Sequence, residues 1–179
     1  KENAVRIEEQ TGIPFFLAMM LDIRGFHTPE EALALLQGND TLSDPYLLPD
    51  MERAVTRLRE AIDNFEKIAV YGDYDADGVT ATSMLFSYLQ TCGADVLYYI
   101  PEREGEGYGM NLGAVEKLAA QGVRLIVTVD NGISSHRETL RAKELGMDVI
   151  INDQHRPQST FPEAVAVVDA WRKDSYCPY

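Results

Sequence analysis

The stretch VYGDYDADGVTATSML, Val70 to Leu85, sets Asp73, Asp75 and Asp77 at alternate positions behind an apolar run and just before Gly78. Carboxylates crowded this closely repel one another, so the crowding is stable only where something positive offsets the repulsion. Two further acidic groups also follow apolar runs: Asp130 in TVDNG, and Asp153 in NDQH, where Gln154 and His155 come next. Oxygen ligands with an imidazole and no thiolate suit Mg²⁺ or Mn²⁺, and the imidazole favours Mn²⁺. Carboxylates that bridge two such ions stabilise both the attacking and the leaving oxygen of an in-line displacement at phosphorus. The chemistry indicated is phosphoester hydrolysis.

Each of these acids, taken alone, has a duller explanation. An aspartate at a strand end is usually a helix cap or a turn residue. Asp77-Gly78 could simply open the next helix, and Asp130-Asn131-Gly132 could be a tight turn. Three such ends in one chain, one of them holding three aspartates, favour the metal reading. DYDADG also fits the first six positions of a calcium-binding EF-hand loop. The twelfth position, which needs a bidentate glutamate, is Met84, and the segment before the loop is β-like rather than helical.

These side chains meet only if the fold gathers them. Residues 1–66 read as helical, with TPEEALALLQG offering Thr28 as cap, Pro29 at the first helical position, Glu31 to complete a capping box and Gly38 as the stop. In 51–66, Val55, Leu58, Ile62 and Phe65 fall on one helical face. From Lys67 onward the pattern changes. Short apolar runs over 67–72, 95–101, 124–130, 148–153 and 164–169 read as strands, and they alternate with helices over 79–93, 111–122 and 134–146. Met84, Leu85, Tyr88 and Leu89 read as helix packing. The expected fold is α/β, a mostly parallel sheet with helices on both faces, preceded by an N-terminal helical segment. The expected domains are 1–66 and 67–179. Open sheets of this kind bind ligands beyond the carboxyl ends of their strands, which is where the acidic residues fall.

Composition bounds the rest. Of 179 residues, 29 are acidic and 16 basic, a net charge of −13 that argues against a general nucleic-acid coat. It leaves room for a nuclease whose metal ions meet the phosphates. No apolar run reaches membrane-spanning length, and KENAVRIEEQ lacks the apolar core of a signal peptide, so a cytoplasmic location without a membrane is expected. Cys92 and Cys177 read as ordinary thiols. A chain beginning at lysine is expected to be cut from a longer one.

GDYDADG, VTVDNGIS and INDQHRP, in that order and spacing, resemble the DHH phosphoesterases, and within them the bacterial single-strand-specific DNA exonucleases. DPYLLPDMERAVTRL and IPEREGEGYGMN extend the resemblance over most of the chain. It implies a two-metal phosphodiesterase that degrades single-stranded DNA from its 5′ end in repair and recombination. Single-strand-binding protein and repair helicases are the partners it suggests. Asp73, Asp75 and Asp130 would hold one ion, and Asp77 and Asp130 the second, with Asp130 bridging and central to catalysis. His155 would lie near the scissile phosphate as a catalytic and substrate-binding group. Asp153 would orient its neighbours and Asn131 would support Asp130. Arg103, Tyr108 and Asn111 of the glycine-rich loop, and Arg156 beside His155, are candidate strand contacts, an arginine for a phosphate and a tyrosine for a base.

Two departures from the family's pattern stand out. The motif reads Asp153-Gln154-His155, with Gln154 where the family has a histidine ligand of the second ion. The family's later aspartate, some tens of residues on, lies past Tyr179. The second metal position is therefore expected to be weak, and these residues alone nearly inactive. Three other readings stay open: a phosphodiesterase for short oligonucleotides or cyclic dinucleotides, a non-catalytic scaffold, and a pyrophosphatase of related fold, which would carry a histidine at position 73.

Overall fold

The computed structural model describes residues 1–38 and 43–176, so Cys177 lies outside the described residues. Two compact units result, Lys1–Ser43 and Asp44–Tyr179. The first holds three helices, α1 Glu2–Thr11, α2 Phe15–Ile23 and α3 Pro29–Gln37. Their short core joins Ile7, Ile13, Ala18, Leu21 and Ala32. The capping box at Thr28 forms as expected: Glu31 N–H donates to the Thr28 hydroxyl, and Thr28 N–H donates to the Glu31 carboxylate.

In the second unit, α4 Met51–Asp63 precedes β1 Lys67–Tyr71, α5 Ala76–Thr91, β2 Val96–Tyr99, α6 Leu112–Ala120, β3 Val123–Thr128, α7 His136–Glu144, β4 Asp148–Asn152 and β5 Ala166–Val168. By contacts the second unit begins at Asp44, so α4 packs with the domain that the sequence reading sets at 67–179. The reason is packing: α4 buries Ala54 and Ala61 against the sheet, with Leu58 and Ile62 beside them. Phe65 leaves that face. The helix has ended, and Phe65 sits in a left-handed turn with its ring exposed.

All five strands pair in parallel, in the order β2-β1-β3-β4-β5. Alternate residues face opposite ways along each strand. Ala69 and Tyr71 of β1 and Ile126 of β3 meet Val115 and Leu118 of α6 and Ala142 of α7. Ile68, Val70, Leu125 and Val127 meet α4 and Leu89 of α5 on the other face. Met84 and Tyr88, expected to pack, instead lie on the outer side of α5, 75% and 66% exposed. Small residues on the inner side let α5 approach the sheet closely. At Gly78, a β-carbon would come within 2.6 Å of the Asp73 backbone.

The strand order reverses direction at β1. The chain runs outward to β2, then crosses β1 to reach β3 on its other side. The carboxyl ends of β1 and β3 are therefore adjacent and level, with Tyr71 in register with Thr128. Such a switch point leaves a crevice that helices do not cover.

Candidate active site

Asp73, two residues past β1, is fully buried. Its Oδ1 accepts the Tyr74 N–H, while Oδ2 is buried with no hydrogen-bond partner among the described residues. Burial pushes the Asp73 carboxyl above the ordinary range; Tyr74 N–H opposes this, and the charges of Asp75 and Asp130 add to it. Asp75 is the helix cap. Its Oδ1 accepts the Gly78 N–H, 2.9 Å away, at the start of α5. Asp77 lies in the first turn of α5 and shares a small cleft with Asp130, Asp153 and Gln154.

Asp130 follows β3 with φ +62°, a left-handed conformation that aspartate tolerates better than most residues. Asn131 explains how the turn holds. Its buried side chain donates to the carbonyls of Tyr71 and Val129, tying the ends of β1 and β3 together. Burial raises the Asp130 carboxyl; a hydrogen bond from Gln154 lowers it, and Asp75 and Asp77 raise it further. Gln154 Nε2 lies 2.7 Å from Asp130 Oδ1. A carboxylate can only accept, so the amide presents its N–H₂ to Asp130 and not its oxygen.

Asp153 uses both oxygens within the protein. Oδ2 accepts the Ile133 N–H, and Oδ1 accepts the backbone N–H groups of Gln154 and His155 and the imidazole Nδ1 of His155 at 2.7 Å. It thereby fixes the turn after β3, the turn after β4 and the imidazole together. The hydrogen bond to Asp153 raises the His155 pKa above its ordinary value and outweighs burial, which lowers it. Asp130, Asp153 and His155 are a group whose ligand atoms lie within 4.8 Å of one another. Asp73, Asp75 and Asp77 stand outside that tighter group, although their charges act on it or on one another.

The glycine-rich loop over 101–110 folds back onto this edge. Tyr71, which no sequence signal marked, holds it: the buried phenol donates to the Gly109 carbonyl. Tyr108 donates to the Asp130 carbonyl and stands edge-on to His155. Arg103 lies over the Tyr74 ring, 4.9 Å from its centroid, and Tyr74 meets Tyr108 edge-on. Asn111 is differently employed. Its Oδ1 caps α6 through Ala114 N–H and its amide donates to the Tyr71 hydroxyl. Arg156 lies over the Trp171 ring, 4.4 Å from its centroid.

A fourth acidic strand end escaped the sequence reading. Asp169 follows β5, is buried, accepts the Trp171 N–H with Oδ1 and leaves Oδ2 without a partner among the described residues. The signal was present, since AVAVVD ends as the other strands do.

The residues fit a divalent cation. The orphaned, buried oxygen of Asp73 and the mutual repulsion among Asp73, Asp75, Asp77 and Asp130 are both relieved by added positive charge. The donors are hard oxygens, the set that Mg²⁺ and Mn²⁺ take.

Residues 67–178 match the DHH family, N-terminal domain. A relative from Bacillus subtilis (strain 168), the single-stranded-DNA-specific exonuclease RecJ, is 44% identical over the whole of this chain and 23% of its own length. The crystal structure of RecJ in complex with Mn²⁺ from Thermus thermophilus superposes with a TM-score of 0.70 and 30% identity, over 98% of this chain and 24% of that one. A crystal structure of exonuclease RecJ bound to manganese gives 0.66 and 38%, over 72% and 33%. The chain thus spans about a quarter of the curated relative it matches from end to end.

Proposed function

The chain belongs to the DHH family, and on that premise we propose that it carries a metal-binding part of a cytoplasmic phosphodiesterase that removes nucleotides from the 5′ end of single-stranded DNA. The observation that carries this reading is the convergence of Asp73, Asp75, Asp77, Asp130 and His155 on the crevice where the strand order reverses. The names of the similar proteins supply the substrate.

Asp73, Asp75, Asp77 and Asp130 are the residues that would hold the Mn²⁺ or Mg²⁺. A divalent ion so held neutralises the carboxylates, polarises the phosphate and lowers the pKa of water. The remaining work belongs to the chain. Asp153 holds the His155 Nδ1 proton, so a protonated imidazole turns its Nε2–H toward an incoming phosphate oxygen. Asn131 keeps Asp130 in its left-handed turn. Arg103 and Tyr108 border the crevice on the loop side and Arg156 on the other, where a polyanionic strand needs local positive charge on a molecule of net charge −13. Single-strand-binding protein and repair helicases are the partners such an activity would meet.

A second reading is favoured by one contact. Gln154 satisfies Asp130 with an N–H₂ group and so stands in for part of a cation's charge, as a binding platform without catalysis would require. Hydrolysis of a 5′-phosphorylated single strand with Mn²⁺, by the full-length protein, separates the two. The nuclease reading expects cleavage that Asp130→Ala abolishes. Cleavage that appears only in Gln154→His identifies a platform, and cleavage that survives Asp130→Ala refutes the metal assignment.

A further inference from the structure

Next to His155 in sequence, the loop after β4 and the segment after β5 line a cleft of about 490 Å³. Arg156, Phe161, Trp171 and Lys173 line it, together with Asp174, whose carboxylate is paired with Arg172. Arg156 also borders a second cleft, lined by Tyr108 and His155, so one side chain lines both. Trp171 is 54% exposed, and Phe161 is exposed as well. The Trp171 backbone is held by its N–H, which donates to buried Asp169, 2.6 Å away, and the Arg156 guanidinium lies 4.4 Å from the indole centroid. Arg156 and Lys173 form no ion pair among the described residues, whereas the adjacent Arg172 is neutralised by Asp50 and Asp174.

Two aromatic walls and two unneutralised cations, one of them shared with the reaction crevice, match a nucleotide better than an apolar ligand. A base has a π-face to stack on an indole, and the phosphates on either side of it meet the cations. Cations left unpaired on an acidic protein also mark a place where a polyanion is wanted. We infer that this cleft is a base-stacking subsite for the single strand, with a nucleobase against Trp171 and the backbone on Arg156 and Lys173. The inference rests on the nuclease reading for its substrate class, and it adds a contact to the base itself, made by residues outside the acidic cluster.

Trp171 is the single tryptophan of the 179 residues, so its emission reports on the cleft directly. With EDTA present to prevent cutting, oligothymidylate is titrated into the chain. Indole fluorescence and the anisotropy of an end label on the strand are read together, and an abasic oligomer of equal length serves as the second probe. The expected result is quenching by oligothymidylate and none by the abasic strand. Trp171→Ala should weaken oligothymidylate binding by about tenfold, the scale of one base–aromatic stack, and Trp171→Phe should retain most of it. Lys173→Ala should weaken both probes equally. Strand binding without quenching, equal quenching by both probes, or no binding of either probe by the chain overturns the subsite. Mn²⁺-dependent cleavage by the full-length protein is read separately. Its presence alongside any of those results leaves the nuclease reading standing, and its absence removes that reading whatever Trp171 does.

Discussion

Gln154 donates its amide N–H to Asp130 across 24 residues of sequence, at 2.7 Å, joining the turn after β4 to the turn after β3. The contact lowers the Asp130 carboxyl against the burial that raises it. Gln154 therefore favours the charged form of Asp130 against burial and orients the carboxylate, without itself offering an oxygen to a cation. Replacing it with alanine should weaken Mn²⁺ binding by about tenfold, the lower end of the range for losing a residue that orients a metal ligand. Calorimetric titration of Mn²⁺ into the two proteins measures this. Equal affinities would mean that Asp130 is held by its backbone alone.

Asp153 should govern the protonation of His155. Its carboxylate accepts the imidazole Nδ1–H and raises the His155 pKa. A raised imidazole pKa means that the pair's contribution to stability is complete below the ordinary histidine value and is lost as pH rises through the higher, folded value. Asp153→Asn removes the charge, so the His155 titration followed by NMR should move down toward the ordinary value, and the alkaline limb of any hydrolysis profile should move with it. An unchanged titration would assign the shift to the other carboxylates.

The sequence exposed the scaffold and the acidic residues because both rest on local patterns. Apolar runs followed by aspartate mark strand ends, and the reversal at β1 then puts Asp73 beside Asp130. Roles decided by contacts across the fold were hidden. Asn111 precedes LGAVEKLAA as any capping residue would, yet its place in a glycine-rich loop suggested a substrate contact. Asp75, not Asp77, caps α5: the helix begins two residues earlier, which sets Gly78 against the Asp73 backbone. Tyr71 lies in an apolar run, and only the return of the 101–110 loop gives its hydroxyl a purpose. Met84 and Tyr88 look like core by type, but Leu85, Phe86 and Leu89 take that place on the packed face of α5.

Acid should loosen the attachment of α4 to β5. Asp50 Oδ2 accepts the Val167 N–H and the Arg172 guanidinium, 3.2 and 2.8 Å away. Burial raises the Asp50 carboxyl, but Arg172 and Val167 outweigh it and the net shift is downward. A lowered carboxyl contributes stability that is complete above its ordinary value of 3.8 and is lost as pH falls through the folded value. Asp50→Ala should be destabilised by about 1–3 kcal/mol at neutral pH, the cost of stripping partners from partly buried donors. Urea denaturation at neutral pH and at about pH 3 tests both parts, since the difference should shrink at the lower pH, below the ordinary carboxyl value.

Asp169 should behave in the opposite sense. Burial raises its carboxyl, and although the Trp171 N–H opposes this, the charge of Asp153 adds to it and Oδ2 has no partner among the described residues. Between the ordinary carboxyl value and the raised one, the folded state therefore holds more of the proton than the unfolded chain does. Stability tied to Asp169 is present at low pH and is lost as pH rises from the ordinary carboxyl value through the raised one. Asparagine keeps an oxygen for Trp171 N–H and removes the charge. Asp169→Asn should accordingly be more stable than the natural chain at neutral pH, with the advantage fading on acidification toward about pH 4, where the natural carboxyl is protonated as well. Melting temperatures across that range decide the matter. A variant that is less stable at neutral pH would show that ionised Asp169 is balanced by Arg172 and His155, the two cationic groups whose charge opposes its shift.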